Sequence, residues 1–309
     1  MTNFLIIIVG LAAGYGLRKA GKIPPGIPLA INAWILNIAL PAVILLYVPN
    51  IHWSPEAIFP LVSPCLVVAG ALIFVRLISG PMGWGKGEST AINLTAGLAN
   101  TSFVGFPLIL AYYGPEALPI GILADQASFL LLATVGIGLG AAYRASTELS
   151  GTKNSLIGTI ARRLISFPPL LTFPLALLWP QEWGLAAMQP LFSALGATLA
   201  PLALFSVGIQ LSFSQAWLDG RDLIAGLTYK LLLAPLLVLG AALALGLKGQ
   251  VVIISVFEAA MAPMITSAVV AGEFGAAPRL ATAMVGMGIP LSLLTTALWY
   301  WALGWLGWR

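Results

Sequence analysis

Long apolar runs, separated by charged residues or by Gly and Pro, make up most of this chain. They fall at 3-18, 28-48, 56-78, 89-112 and 117-143, and then at 161-179, 186-211, 222-246, 250-272 and 278-306. A bilayer core of about 30 Å takes roughly 20 apolar residues as a helix, so the pattern predicts one span per run. The runs are continuous rather than alternating, which favours helices over a barrel. The expected fold is an all-α membrane protein of ten transmembrane helices in a 5+5 inverted repeat. Residues 1-143 form the first repeat, 144-160 a cytoplasmic linker and 161-309 the second repeat, inserted upside down.

Two of the runs are interrupted in matching places. The first reads Leu98-Ala99-Asn100-Thr101-Ser102-Phe103-Val104-Gly105-Phe106-Pro107, and the second Ala259-Ala260-Met261-Ala262-Pro263-Met264-Ile265-Thr266-Ser267-Ala268. Each carries small polar residues and a proline, and each is followed by a glycine, Gly114 or Gly275. Aligning those glycines sets Asn100 opposite Met261 and Ser102 opposite Pro263, and Pro41 aligns with Pro201 at nearly the same offset. A proline inside a helix removes a backbone hydrogen bond, and free backbone groups are costly in hydrocarbon. Paired interruptions of this kind point to a transporter's binding site, with the fourth and ninth helices broken and crossing.

Composition supports the membrane class: 60% of the 309 residues are hydrophobic and 8% are charged, too apolar for a soluble domain of this length. Charge supplies an orientation. With the N-terminus outside, the cytoplasmic loops hold Arg18, Lys19, Lys22, Arg76, Lys86, Arg144, Lys153, Arg162, Arg163, Arg221 and Arg279, against Lys248 and Arg309 outside. That is the positive-inside pattern, so both termini are expected outside a bacterial cytoplasmic (inner) membrane. The net charge of +4 is spread over short loops, and no nucleic-acid partner is expected. Arg18, Lys19 and Lys22 follow the first apolar run, the reverse of a cleaved signal. The chain has one cysteine, Cys65, and one histidine, His52 in an outer loop. That leaves no intramolecular disulfide, Ser/His dyad or His-based metal site, and no enzyme is expected.

Candidate chemistry follows from the interruptions and the buried charges. Asn100, Thr101, Ser102 and Phe103 on one break, with Met261, Ala262, Pro263, Thr266 and Ser267 on the other, form the expected substrate site. Pro107 and Pro263 are the helix breakers. Half-helix N-termini offer free N–H groups and a positive dipole end, which suit a carboxylate. Three ionisable residues fall inside spans: Asp125, followed by Gln126, then Lys230 and Glu258. Each costs about 2.5 to 3.5 kcal/mol at a helix centre, so each needs a partner or a function. Asp125, Gln126, Glu258 and Lys230 are the expected ion-coupling group, with a proton or a sodium ion at Glu258. Lys230 pairing with either acid to hold helices together remains open. Gly136-Ile137-Gly138-Leu139-Gly140 is read as helix packing rather than a nucleotide loop, and Gly10 with Gly14 as a helix interface.

The segment Asn100-Thr101-Ser102-Phe103-Val104-Gly105-Phe106-Pro107 resembles the Asn-Thr-x-Phe-x-Gly-x-Pro signature of the auxin efflux carrier family. Ala200 to Leu211 is similar to that family's seventh span. The resemblance covers essentially the whole chain. It implies a ten-helix fold like that of bile-acid/sodium symporters and sodium/proton antiporters. Helices 1, 2, 6 and 7 would be a scaffold that forms a homodimer, and helices 3-5 and 8-10 a moving transport unit. It also implies a small organic anion as substrate, such as malate, malonate or an auxin-like acid. Asn100 to Pro107 match the family's first crossover, and Ala262 and Pro263 the second. This chain departs after Pro263, where Met264, Ile265 and Thr266 stand and the family often has Asn. Glu258 sits where the symporters' sodium-binding glutamate would fall.

The leading expectation is therefore a secondary transporter of a small carboxylate, driven by sodium or protons and working by an elevator-type motion, in contact with membrane lipid. Two other readings stay open. One is a sodium/proton antiporter using Asp125 and Glu258. The other is a membrane sensor that binds a ligand without moving it.

Overall fold

The computed structural model describes residues 2–51, 53–147, 156–179, 185–211 and 220–307. Lys153, His52, Arg309 and residues 148–155 of the expected linker at 144-160 lie outside them. Prolines open many of the helices, at first-turn positions where no backbone N–H is needed. In chain order the elements are α1 (Thr2–Lys19), α2 (Ile27–Tyr47), α3 (Pro55–Met82), α4 (Lys86–Gly97), α5 (Thr101–Tyr112) and α6 (Pro115–Thr147). There follow α7 (Leu156–Ile165), α8 (Pro168–Leu178), α9 (Leu185–Ala197), α10 (Leu199–Gln210), α11 (Gly220–Ala244), α12 (Gln250–Ala259), α13 (Ile265–Phe274) and α14 (Pro278–Gly304). Gly114 (φ +86°) and Gly275 (φ +75°) end the two interrupted segments in conformations that favour glycine.

The expectation of ten spans in a 5+5 inverted repeat is overturned. Among the described residues six helices are long and apolar enough to cross a membrane: α2, α3, α6, the stretch Ala187–Gln210, α11 and α14. A seventh is reached only if α7 and α8, bent by 60° at their junction, count as one span. The interrupted segments account for much of the difference. Run counting carries a helix straight through Leu98 to Asn100 and through Ala260 to Met264, whereas the backbone leaves the helix at both places. The resulting pieces, Thr101–Tyr112, Gln250–Ala259 and Ile265–Phe274, are short apolar helices. At 1.5 Å per residue, ten residues reach about 15 Å, half a bilayer core. Six or seven long helices do not divide into two sets of five, so the repeat falls with the count. The protein is an all-α, multi-pass membrane protein.

The helices pack in two groups. α1, α2, α8, α9 and α10 contact one another, as do α3, α4, α6 and α11 to α14. α5 lies between, against α10 on one side and α6 on the other. Small residues bring α1 and α10 together: a Cβ at Gly208 would stand 2.5 Å from the Leu11 carbonyl oxygen, and one at Gly10 2.9 Å from Leu204 Cβ. Large apolar side chains remain on the outside, Leu29, Ile157 and Leu178 at 75 to 80% exposure among them. A lipid environment is the physical account of so much uncovered apolar surface.

Candidate functional site

The two interruptions meet. Leu98 (φ −116°, ψ 126°) and Met264 (φ −67°, ψ 128°) are extended, and Ala99 pairs antiparallel with Pro263. Asn100 N–H donates to the Ala262 carbonyl at 2.8 Å, and Met264 N–H to the Leu98 carbonyl at 3.0 Å. Backbone groups freed by one break are thus satisfied by the other, which is how non-helical chain survives at such a depth.

The prolines explain the local geometry. In an unbroken helix the N–H of residue 263 would bond the carbonyl of Ala259, but Pro263 has no N–H. Lys230 takes the vacant position: its Nζ donates to the Ala259 carbonyl at 2.7 Å. A cation at the C-terminal end of α12 also complements the helix dipole. Lys230 is fully buried and, among the described residues, forms no ion pair with Asp125 or Glu258. Wide π-helical turns precede three other prolines: Ile35–Ala39 before Pro41, Thr101–Gly105 before Pro107 and Tyr229–Leu233 before Pro235. Such turns re-register a helix whose next donor is missing, and two of them hold Thr101 and Lys230.

A cavity of about 60 Å³ opens at the crossing, lined by Asn32, Leu36, Asn100, Thr101, Ser102, Phe103, Phe129, Phe167, Met264, Ile265 and Thr266. One water needs roughly 10 to 15 Å³ on this measure, so the space takes several waters or a small ligand. Its polar lining is neutral, made of amides and hydroxyls. Asn100 lines this cavity and is 3% exposed, and among the described residues its buried Nδ2 finds no partner. Phe129 stacks on Phe167, and this pair also borders a larger cavity of about 310 Å³ that includes Arg163, Ser166 and Glu273. Arg163 pairs with Glu273 there, and Arg144 donates to the Glu273 carbonyl.

Behind the crossing lies a second small space of about 10 Å³, bordered by Ser63, Thr101, Ser128 and Glu258, near the lower limit for one water. Thr101 Oγ1 donates to Asp125 Oδ1 at 2.5 Å. Among the described residues, Asp125 Oδ2 and both Glu258 carboxylate oxygens are buried without a donor, and neither Oε1 nor Nε2 of the buried Gln126 amide finds a partner. Glu258 reaches across to the first break: a Cβ at Gly105 would be 2.6 Å from its Oε2, and one at Gly121 3.1 Å from its Oε1. Asp125 and Lys230 are the charged groups whose fields act on it. Buried carboxylate oxygens without donors are costly unless a proton or cation meets them. No cluster of three or more His, Cys, Asp or Glu exists among the described residues, so a cation here would rest on these two acids, hydroxyls and carbonyls.

The expected substrate residues separate. Asn100, Thr101, Ser102, Phe103 and Thr266 line the larger crossing cavity. Met261, Ala262 and Pro263 are buried outside that lining, and Pro263 packs on Gly288. The Ser267 hydroxyl is committed to the Met264 carbonyl at 2.7 Å. Asn32, Leu36, Phe129 and Phe167 were not among the expected site residues. Asn32 carried a signal, a polar side chain within the apolar run 28-48, whereas the other three look like ordinary lipid-phase residues.

A helical membrane protein with paired broken segments around a neutral cavity and buried acids behind it has the construction of a transporter. The chain belongs to the membrane transport protein family, whose model matches residues 1–300. It is 26% identical over 302 residues to an uncharacterized transporter of Methanothermobacter thermautotrophicus, covering 96% of this chain and 95% of the relative. It is also 26% identical over 312 residues to the uncharacterized transporter YfdV of Escherichia coli K12, with the same coverage. An uncharacterized transporter of Methanocaldococcus jannaschii is 23% identical over 322 residues, 98% of each chain. The protein is a membrane transporter, and its family is not one of enzymes.

Proposed function

We propose that the protein is a secondary transporter of a small organic anion, a carboxylate such as malate, malonate or an auxin-like acid, bound at the crossing of the two broken segments. The buried, unpaired Nδ2 of Asn100, a residue that lines the cavity, carries this reading. A carboxylate oxygen is the natural acceptor for a buried amide donor, and the neutral lining can release an anion that a fixed Arg or Lys would retain. The auxin efflux carrier resemblance supports the same substrate class. In this reading the group with α3 and α11 to α14 moves against α1, α2, α9 and α10, the elevator scheme, with the latter group as dimer scaffold in a bacterial inner membrane. Coupling runs through Thr101, which borders both cavities and is bonded to Asp125. A proton or sodium ion arriving at Asp125 and Glu258 would change the hydrogen bond that orients Thr101.

A second reading is cation/proton exchange at Asp125 and Glu258 with no organic substrate. The three donorless carboxylate oxygens favour it. One experiment separates the two: uptake of labelled mono- and dicarboxylates into proteoliposomes, with and without sodium and pH gradients. Saturable carboxylate uptake supports the first. Sodium-driven proton movement with no carboxylate taken up overturns it in favour of the second.

A further inference from the structure

A second amide lines the crossing cavity. Asn32 on α2 borders it together with the Asn100 to Phe103 and Met264 to Thr266 segments. Its Oδ1 accepts a hydrogen bond from Ser206 Oγ at 2.6 Å. Gln210 Nε2 donates to Ser206 Oγ at 3.2 Å and to the Ser206 carbonyl at 3.2 Å. Ser206 Oγ thus accepts from Gln210 while its single proton goes to Asn32 Oδ1. Ser206 is fully buried on α10, and Asn32 and Gln210 on either side of it are half-buried. With Oδ1 bonded to Ser206, Nδ2 is the part of Asn32 that donates to no protein group among the described residues.

The geometry points to Asn32 as a second substrate contact: its Nδ2 and that of Asn100 donate to one carboxylate in the cavity, with Ser206 and Gln210 as positioning residues. This rests on the anion reading of the same cavity. It also sharpens that reading, because two amide donors suit an anion and offer nothing to a cation, whose oxygen ligand on Asn32 is bonded to Ser206. Asn32 belongs to the group with α1 and α10, and Asn100 to the α5 start that borders the other group. One carboxylate would thus contact both bodies, and its departure would remove a tie between them.

The test is uptake into proteoliposomes of carbon-14 malonate and, separately, carbon-14 benzoate, both as potassium salts. Loss of one hydrogen bond to a charged group corresponds to on the order of tenfold or more in affinity. Asn32→Ala is expected to raise the half-saturation concentration of the transported probe about tenfold, and Asn32→Asp, which sets a carboxylate against the substrate, to raise it further. Ser206→Ala is expected to raise it several-fold, about threefold or more, with Ser206→Thr restoring most of the loss because the hydroxyl is kept. Folded yield and unfolding temperature are measured for each variant. Wild-type half-saturation in both Asn32 variants overturns the inference, and so does a loss confined to yield or stability. If the Asn32 variants do not fold, the Ser206→Ala and Ser206→Thr pair decides by the same half-saturation readout. A weakened Asn100→Ala beside an unaffected Asn32→Ala overturns this inference alone. Failure of wild-type protein to move either probe or any other carboxylate removes the anion reading and this inference with it.

Discussion

The two broken segments share a device and use it differently. On the first, Asn100 to Phe103 line the cavity, and among the described residues an amide donor is left unmet. On the second, Met261 to Pro263 are buried, and the missing proline N–H is replaced by Lys230. One break leaves polar groups beside a cavity, and the other is made stable by internal partners. A proline in a membrane helix therefore marks a freed carbonyl, and what satisfies that carbonyl decides between site and scaffold.

The largest effect on this comparison should come from Lys230→Met. Removing the ammonium leaves the Ala259 carbonyl without its donor and Glu258 without its nearby cation, at a cost of about 3 kcal/mol of stability. Thermal unfolding in detergent reads the loss, and wild-type stability would show that Lys230 does not hold the break. Next, Gly105→Ala puts a methyl group against Glu258 where the two breaks touch, and overpacking of this kind costs roughly 2 kcal/mol. The same unfolding measurement should find it, while an unshifted midpoint would mean the contact yields easily. A finer test is the double variant Lys230→Met with Pro263→Ala. The new N–H at 263 can supply the bond that Lys230 gave, so the pair should be more stable than the sum of its parts by about 1 kcal/mol. Strict additivity would deny that Lys230 substitutes for the missing N–H. Smallest of these, Ser267→Ala deletes a hydrogen bond to the Met264 carbonyl and should cost about 1 kcal/mol or less. No change in substrate affinity is expected of it.

Sequence reasoning reached the breaks, the prolines, the buried charges and the transporter class, because each leaves a local mark on an apolar run. It missed the span count, because an apolar stretch that leaves the helix, like 260 to 264, or bends, like Ile165 to Pro168, has the composition of one that does not. The sequence left open whether Lys230 pairs with either acid; its hydrogen-bond partner is a backbone carbonyl, which has no sequence signature. Phe129 on α6 and Phe167 at the junction of α7 and α8 look like any apolar residue until the fold stacks them. Asn32 was visible as a polar residue in an apolar run, yet its orientation depends on Ser206 and Gln210, far along the chain.

The most direct test of the unequal breaks is the half-saturation concentration for carboxylate uptake into proteoliposomes, measured side by side for wild type, Asn100→Ala and Ser267→Ala. The account predicts a rise on the order of tenfold or more for Asn100→Ala and little change for Ser267→Ala. An unchanged value for Asn100→Ala, or a larger rise for Ser267→Ala, would contradict it.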